Sequence, residues 1–409
     1  MAPLMKPQLV LVASAVVLSL VFSFVIFPRI QESLNLNIDP DKCGELAGNI
    51  FEGKGYVYDS STSPAIDRGP VYPYIVAGMF SAVGSKSVAA VQIFQAMCHG
   101  LTCLIMFLVA RKLFDEKVAL WTGALCAAHP MLIWYTSRLW IETVHTLLVT
   151  TAILAIVLVS ERVSLKRLAI AGLVLGVTVL TKSVLMLFPF VLGVFLVRQR
   201  GLEGLRAALI IIMVSVLVVA PWTYRNYQVS RHFVPVHTSL GLNLIQGDAI
   251  GEHWTEMPLS TMALWQKGFE ETNAILQGSG ATSTDPQGDR LLIASSLSRS
   301  LENPGFLLKK VLINGLTFLY LSESPAKSIF LMVIQFPLAV LVLISSFRLW
   351  GAHPLSRPII LLIIYFFLTH AFIVGWARYS VPIIPACLLL ASTVLVGFRN
   401  PARHQPPGH

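Results

Sequence analysis

The chain has 409 residues, of which 55% are hydrophobic and only 12% charged, against about 25% charged in ordinary soluble domains. That composition excludes a soluble globular enzyme and describes an all-α polytopic membrane protein. The net charge of +9 does not mark a nucleic-acid binder, because the basic residues are divided among short loops, the pattern by which membrane proteins record their orientation.

Residues 8–27 read as the first span, since the apolar run is too long for a signal peptide and no A-x-A-like site follows Phe27-Pro28-Arg29. A polar, acidic, turn-rich stretch then runs from Asp39 to Pro73 in an otherwise apolar chain. Within it Cys43, Leu46, Ala47, Ile50 and Phe51 have the i, i+3, i+4 spacing of a helix buried along one face. Asp39 reads as its N-cap with Pro40 in the first helical position, and Gly53 and Gly55 end it. Such a helix should lie flat at the bilayer surface. Val71 to Val83 is apolar but short, suited to a re-entrant or interfacial helix. Spans follow at 87–110, 118–136, 139–160, 167–181, 183–197, 206–222, 327–347, 358–376 and 380–398, for about ten crossings in all.

Lys6, Arg111, Lys112, Lys117, Arg162, Lys166, Arg167, Arg198, Arg200, Arg206, Arg348, Arg357, Arg399 and Arg403 then share one side, which is cytoplasmic. The organisation expected is a transmembrane module at 1–222 with its first extracytoplasmic loop at 28–85, an extracytoplasmic segment at 223–326, further spans at 327–398 and a disordered tail at 399–409. The arms of the 167–197 hairpin are about 22 Å long, short of the roughly 30 Å hydrocarbon core, so Lys182 at its tip should face a polar cavity. In the 223–326 segment, residues 306–321 read as an amphipathic, surface-bound helix containing Lys309 and Lys310.

Arg138, Lys182, Arg225 and Arg378 stand at the extracytoplasmic ends of different spans. A snorkelling anchor is the plainer reading for Arg138, whereas Lys182 and Arg378 sit in tight turns where charge is costly and usually functional. With Arg68 they would form an electropositive cavity suited to a phosphate or pyrophosphate. The Asp39 carboxylate can cap a helix with one oxygen and accept a substrate hydroxyl with the other. Glu142 reads as a complement to its helix N-terminus, with a third catalytic acid as the alternative. His129, His145 and His370 lack metal-ligand spacing and read as packing or lining residues. Gly172 and Gly176 form a small-xxx-small packing face, and the five cysteines show no disulfide framework.

The run Asp39…Leu46-Ala47-Gly48-Asn49…Gly53-Lys54-Gly55-Tyr56…Asp67-Arg68-Gly69-Pro70-Val71-Tyr72-Pro73 resembles the first extracytoplasmic loop of GT-C superfamily glycosyltransferases. AGLVLGVTVLTKS (171–183), APWTYRNYQVSRHFVPVHTSLGLNLIQGD (220–248) and ARYSVPIIP (377–385) follow in the family's order. The branch resembled is that of the dolichyl-phosphate-mannose protein mannosyltransferases and the bacterial lipid A aminoarabinose transferases. Pro40 stands where a second acid is frequent and Cys43 where an aromatic is, which leaves Asp41 as an alternative to Asp39. The chain is also expected to lack the large C-terminal extracytoplasmic domain of the aminoarabinose transferases, which bears on the acceptor.

The resemblance implies a multi-pass enzyme of the bacterial cytoplasmic membrane, with its active site on the extracytoplasmic face. It would transfer a sugar, with inversion, from a polyprenyl-phosphate donor to a lipid, glycan or protein acceptor. Its partners are donor, acceptor and membrane lipids, with no nucleic acid. No cofactor is required, although a divalent metal could assist. Asp39 is the expected base and Asp67 the residue orienting acceptor or sugar, with Asp41 and Glu142 as alternative catalytic acids. Arg68, Tyr72, Lys182, Arg225, Arg378 and Tyr379 are the expected substrate-binding residues. A transporter or lipid flippase is the rival reading, against which stands the absence of repeated halves.

Overall fold

The computed structural model describes residues 6–59, 63–259 and 261–398, so the expected tail at 399–409 lies outside the described residues. Among those residues the regular structure is helical, with one isolated bridge between Val57 and Pro64. Among the described residues seven stretches are long and apolar enough to cross a membrane: Pro7–Leu34, Val88–Leu113, Glu142–Glu161, Ser183–Ser230, Pro325–Ala352, Pro354–Phe372 and Ala377–Leu395. This is an integral, multi-pass membrane protein. The remaining expected crossings fall on stretches that length and composition alone do not class as spans. Leu165–Thr181 has 17 residues, and Glu116–Ala128 is separated from Pro130–Trp134 by an extended His129. The Ser183–Ser230 run holds two arms joined at Gly201, whose φ of 57° and ψ of −127° break the helix.

In hydrocarbon no water satisfies the free N–H groups of a helix start, so side chains must. Ser87, Asp115, Ser164 and Ser324 each accept the backbone N–H three residues on. Helix packing then depends on small residues. A Cβ on Gly172 or Gly176 would lie 2.7 Å from Val214 or Val218, so the backbones of Leu165–Thr181 and the second arm approach closely, as the glycine spacing predicts.

At one end of the bundle Lys112 pairs with Glu161 at 2.8 Å, and Arg200 donates to the Ser160 carbonyl at 2.7 Å. At the other end lie residues 39–59 and 63–73, the 135–141 loop, Lys182, residues 236–259 and Arg378. Cysteines placed at the exposed Lys54 and Gln277 should therefore both react with an impermeant maleimide in intact cells, while one at Lys166 should not. Opposite behaviour of Lys54 and Gln277 would break this topology.

Three local expectations change. The loop helix begins at Cys43, not at Pro40, because residues 39–42 form a turn closed by Lys42 N–H on the Asp39 carbonyl at 3.2 Å. This helix, Cys43–Phe51, does not lie free on the surface: Cys43 and Ala47 pack with Tyr72, Val76, Ala77 and Phe80 of the 13-residue helix Val71–Val83. Pro304–Tyr320 is likewise packed, since Lys310 is buried against Asp248 at 2.6 Å and Phe318 meets Phe367. Only its other side, with Leu308, Leu312 and Leu316, is exposed.

Candidate active site

The site is built where the 39–73 stretch meets the ends of four transmembrane elements. Its floor is the 135–141 loop, buried without being helical. Gln92 donates to the Ser137 carbonyl at 2.7 Å, and Gln95 to the carbonyls of Thr136 and Arg138 at 3.0 and 2.8 Å. Two glutamines in an otherwise apolar span thus satisfy a backbone that lipid could not. The Leu139 N–H donates to the Ile38 carbonyl at 2.9 Å and ties this loop to the Asp39 turn. The second wall depends on Gly69: a Cβ there would meet the Thr181 carbonyl at 2.8 Å, so only glycine lets the Arg68 loop rest on the hairpin tip that carries Lys182.

Four charged groups form one network. Arg378 grips the Asp41 carboxylate with both terminal nitrogens, one of them at 3.2 Å, and donates through Nε to Glu142 at 2.6 Å. Lys182 reaches the same Glu142 oxygen at 3.4 Å and lies 4.1 Å from the centre of the Tyr379 ring. The Glu142 side chain has no exposure. Its place at the first position of Glu142–Glu161 therefore serves the Arg378–Lys182 pair before it serves the helix dipole. Arg68 donates to the Asp41 carbonyl at 3.2 Å and pairs with Asp67 at 3.4 Å, whose carboxylate also accepts from Tyr58 at 3.0 Å.

The two candidate bases differ in kind. Burial pushes the Asp41 carboxyl up, but Arg378 against it, with Arg68 and Lys182 nearby, holds it down at about 2. Asp39 is shifted the other way: burial raises its pKa above the usual carboxylate value, a trend that backbone N–H donors from residues 43–45 oppose and the Asp41 charge adds to. Its Oδ2 accepts the Glu45 N–H at 2.9 Å, and its Oδ1 is buried with no hydrogen bond among the described residues. The carboxylate thus caps the helix from four residues before its first residue with one oxygen and leaves the other uncommitted. Burial, together with Arg68 and Lys182, lowers His237 to about 4, so a neutral imidazole from the 223–326 segment faces the cations.

Not every candidate joins this network. Arg225 donates to the Ala65 carbonyl at 2.7 Å and lies over Trp222 and Tyr56, where it braces the first loop. Tyr72 is fully buried and donates to Gln95 at 2.9 Å, a packing contact. Arg138 is not a snorkelling anchor: it is 3% exposed, pairs with Glu323 at 3.1 Å and stacks at 4.2 Å on Trp140, which Arg378 also approaches at 4.7 Å. His370 stacks between Phe318 and Tyr379, His145 is fully buried, and His129 is buried, as expected of packing residues. Among the described residues Glu252, His253 and Glu271 form a grouping with metal-ligand proximity, but Arg299 pairs with both glutamates and supplies their counter-charge. All five cysteines are free. Glutamines 92 and 95, Tyr58, Trp140 and Asn243 escaped the sequence reading. Gln92 and Gln95 had a usable signal, being uncharged polar residues within a span.

Comparison with known proteins bears on fold and family. The family description "Dolichyl-phosphate-mannose-protein mannosyltransferase" matches residues 67–224. None of the curated proteins matches the chain in sequence. The oligosaccharyltransferase of Archaeoglobus fulgidus in its apo form is similar in structure at a TM-score of 0.57 and 15% identity, over 97% of this chain and 51% of that one. The same archaeal enzyme, AglB, in complex with an inhibitory peptide and a dolichol-phosphate, is similar at 0.55 and 14% identity over 95% and 50%. ArnT from Cupriavidus metallidurans bound to undecaprenyl phosphate is similar at 0.45 and 14% over 95% and 77%, too low to bear on the fold. The chain has a GT-C fold, and spans about half the length of the oligosaccharyltransferase it matches.

Proposed function

We propose that the chain is a membrane glycosyltransferase that moves a sugar from a polyprenyl-phosphate donor to a hydroxyl of a lipid, glycan or protein acceptor, at the extracytoplasmic face and with inversion. The observation that carries this reading is the unpaired, buried Asp39 Oδ1, two residues from an Asp41 carboxylate that Arg378 grips and on which the Arg68 and Lys182 charges act. Displacement at an anomeric carbon needs a base on the attacking side and cations on the departing phosphate. Asp39 is the better base, because a carboxylate held near 2 by a guanidinium, as Asp41 is, has little affinity for a proton. Asp67, fixed by Tyr58 and Arg68, would orient the acceptor or sugar. Glu142 and Asp41 would hold Arg378 and Lys182 in place before a phosphate arrives, so that the cations need not reorganise.

The membrane spans, the GT-C fold and the match to a family described by its dolichyl-phosphate-mannose substrate support a polyprenyl-linked donor. Incubating membranes that contain the chain with a radiolabelled polyprenyl-phosphate sugar should yield label in an acceptor fraction. Absence of transfer across a panel of hexosyl and pentosyl donors would overturn the proposal. Gly69→Ala should slow transfer by about 10-fold or more and lower the melting temperature, since the added carbon would clash with the Leu180 carbonyl and displace Arg68 from the Lys182 tip. An unaffected rate would separate the Arg68 loop from the chemistry.

A further inference from the structure

Lys182 is weakly held for a residue assigned to a phosphate. Its ion pair with Glu142 is 3.4 Å long, and its other close neighbour is the face of Tyr379, 4.1 Å below the ammonium. Where that ring lies therefore decides where the charge lies. The Tyr379 ring runs nearly parallel to those of His370, at 4.9 Å and 12°, and Trp376, at 5.6 Å and 15°. Parallel stacking fixes the plane of a ring but leaves it free to slide within that plane. The in-plane restraint is a hydrogen bond from the Tyr379 hydroxyl to Asn243 Oδ1 at 3.3 Å.

Asn243 is itself oriented, because its amide nitrogen donates to the Ser239 carbonyl at 2.8 Å and so turns the oxygen toward Tyr379. It stands on Leu240–His253, a helix fastened at its start by the Gly241 N–H on Asp289 at 2.8 Å and further along by the buried Lys310–Asp248 pair. We propose that Asn243 is a positioning residue that acts through the Tyr379 hydroxyl to set the place of the Lys182 ammonium, and so couples the 223–326 segment to the phosphate face of the site. This rests on the reading of Lys182 as a phosphate ligand, and its first test does not.

The test is a double-mutant cycle on the full-length, detergent-solubilised protein with Asn243→Ala, Tyr379→Phe and both. The readout is the rate at which acetic anhydride modifies Lys182, followed by mass spectrometry, with the exposed Lys54 as internal control. Each single variant should change the Lys182 rate by about threefold or more, and the double variant should match the singles, because both remove the same bond. An unchanged rate in Asn243→Ala, or effects that multiply in the double variant, would overturn the proposal. Tyr379→Phe removes one oxygen from an intact stack, so it tests the link even where Asn243→Ala folds poorly. A second cycle reads undecaprenyl phosphate affinity by tryptophan fluorescence. Parallel, non-additive losses extend the positioning to the ligand, and additive losses refute that extension. Failure of the unmodified protein to bind at all would refute the phosphate reading, while the amine cycle still decides the positioning.

Discussion

Asp39→Asn protein should accumulate normally, melt no lower than the unmodified protein and turn over roughly 10²-fold more slowly or worse. Asparagine caps a helix about as well as aspartate, so the Glu45 N–H keeps its acceptor. The amide cannot take a proton from a hydroxyl. The stability arm has a sign that follows from burial. Asp39 has a folded pKa above its ordinary value of 3.8, so its favourable contribution is present below that value and is lost as pH rises through the raised one. At neutral pH the charged carboxylate is a cost to folding, and a neutral isostere relieves it. Turnover should run the opposite way in the unmodified protein, rising with pH as Asp39 loses its proton. Differential scanning fluorimetry beside a transfer assay reads both arms. An active Asp39→Asn variant would remove this residue from the chemistry, and a dead Asp41→Asn variant beside it would move the base to Asp41.

Arg378→Ala should be the most damaging single change, in stability as well as in function. It leaves the fully buried Glu142 with only the 3.4 Å Lys182 contact and Asp41 with no direct ion pair, a loss of about 3–5 kcal/mol when one partner of a buried pair is removed. The pH dependence identifies the cause. In the unmodified protein the depressed Asp41 pKa contributes stability above 3.8 that is lost as pH falls through about 2. Without the guanidinium, burial is opposed only by the Arg68 and Lys182 charges and the Asp41 pKa rises, so the deficit of the variant should shrink as the buffer is made more acidic. Arg378→Lys keeps a charge but not the fork that reaches two carboxylates at once, and should fall between. A deficit that stays constant from neutral pH to about pH 4 would mean that packing, not charge, is what Arg378 supplies.

The first loop stood out as the candidate site because it is polar sequence where apolar sequence is the rule. Asp39, Asp67, Arg68, Lys182 and Arg378 all stood out on that ground, and Lys182 also by the shortness of its hairpin. Arg225 and Tyr72 stood out equally and went elsewhere, since position at a span end limits how deep a side chain lies but not which neighbour it faces.

The sequence by itself determined that the chain crosses the membrane many times, because hydrocarbon imposes that pattern residue by residue, and it pointed to the polar first loop, Lys182 and Arg378 as one cluster. Tertiary structure alone distinguished the surroundings of Asp39 and Asp41. The two are separated in sequence by one proline and distinguished by a guanidinium 337 positions away. It also decided that Glu142 answers Arg378 and Lys182 before its own helix, and that Asn243 answers Tyr379. Such pairings depend on which helix ends meet, and local periodicity carries no record of that.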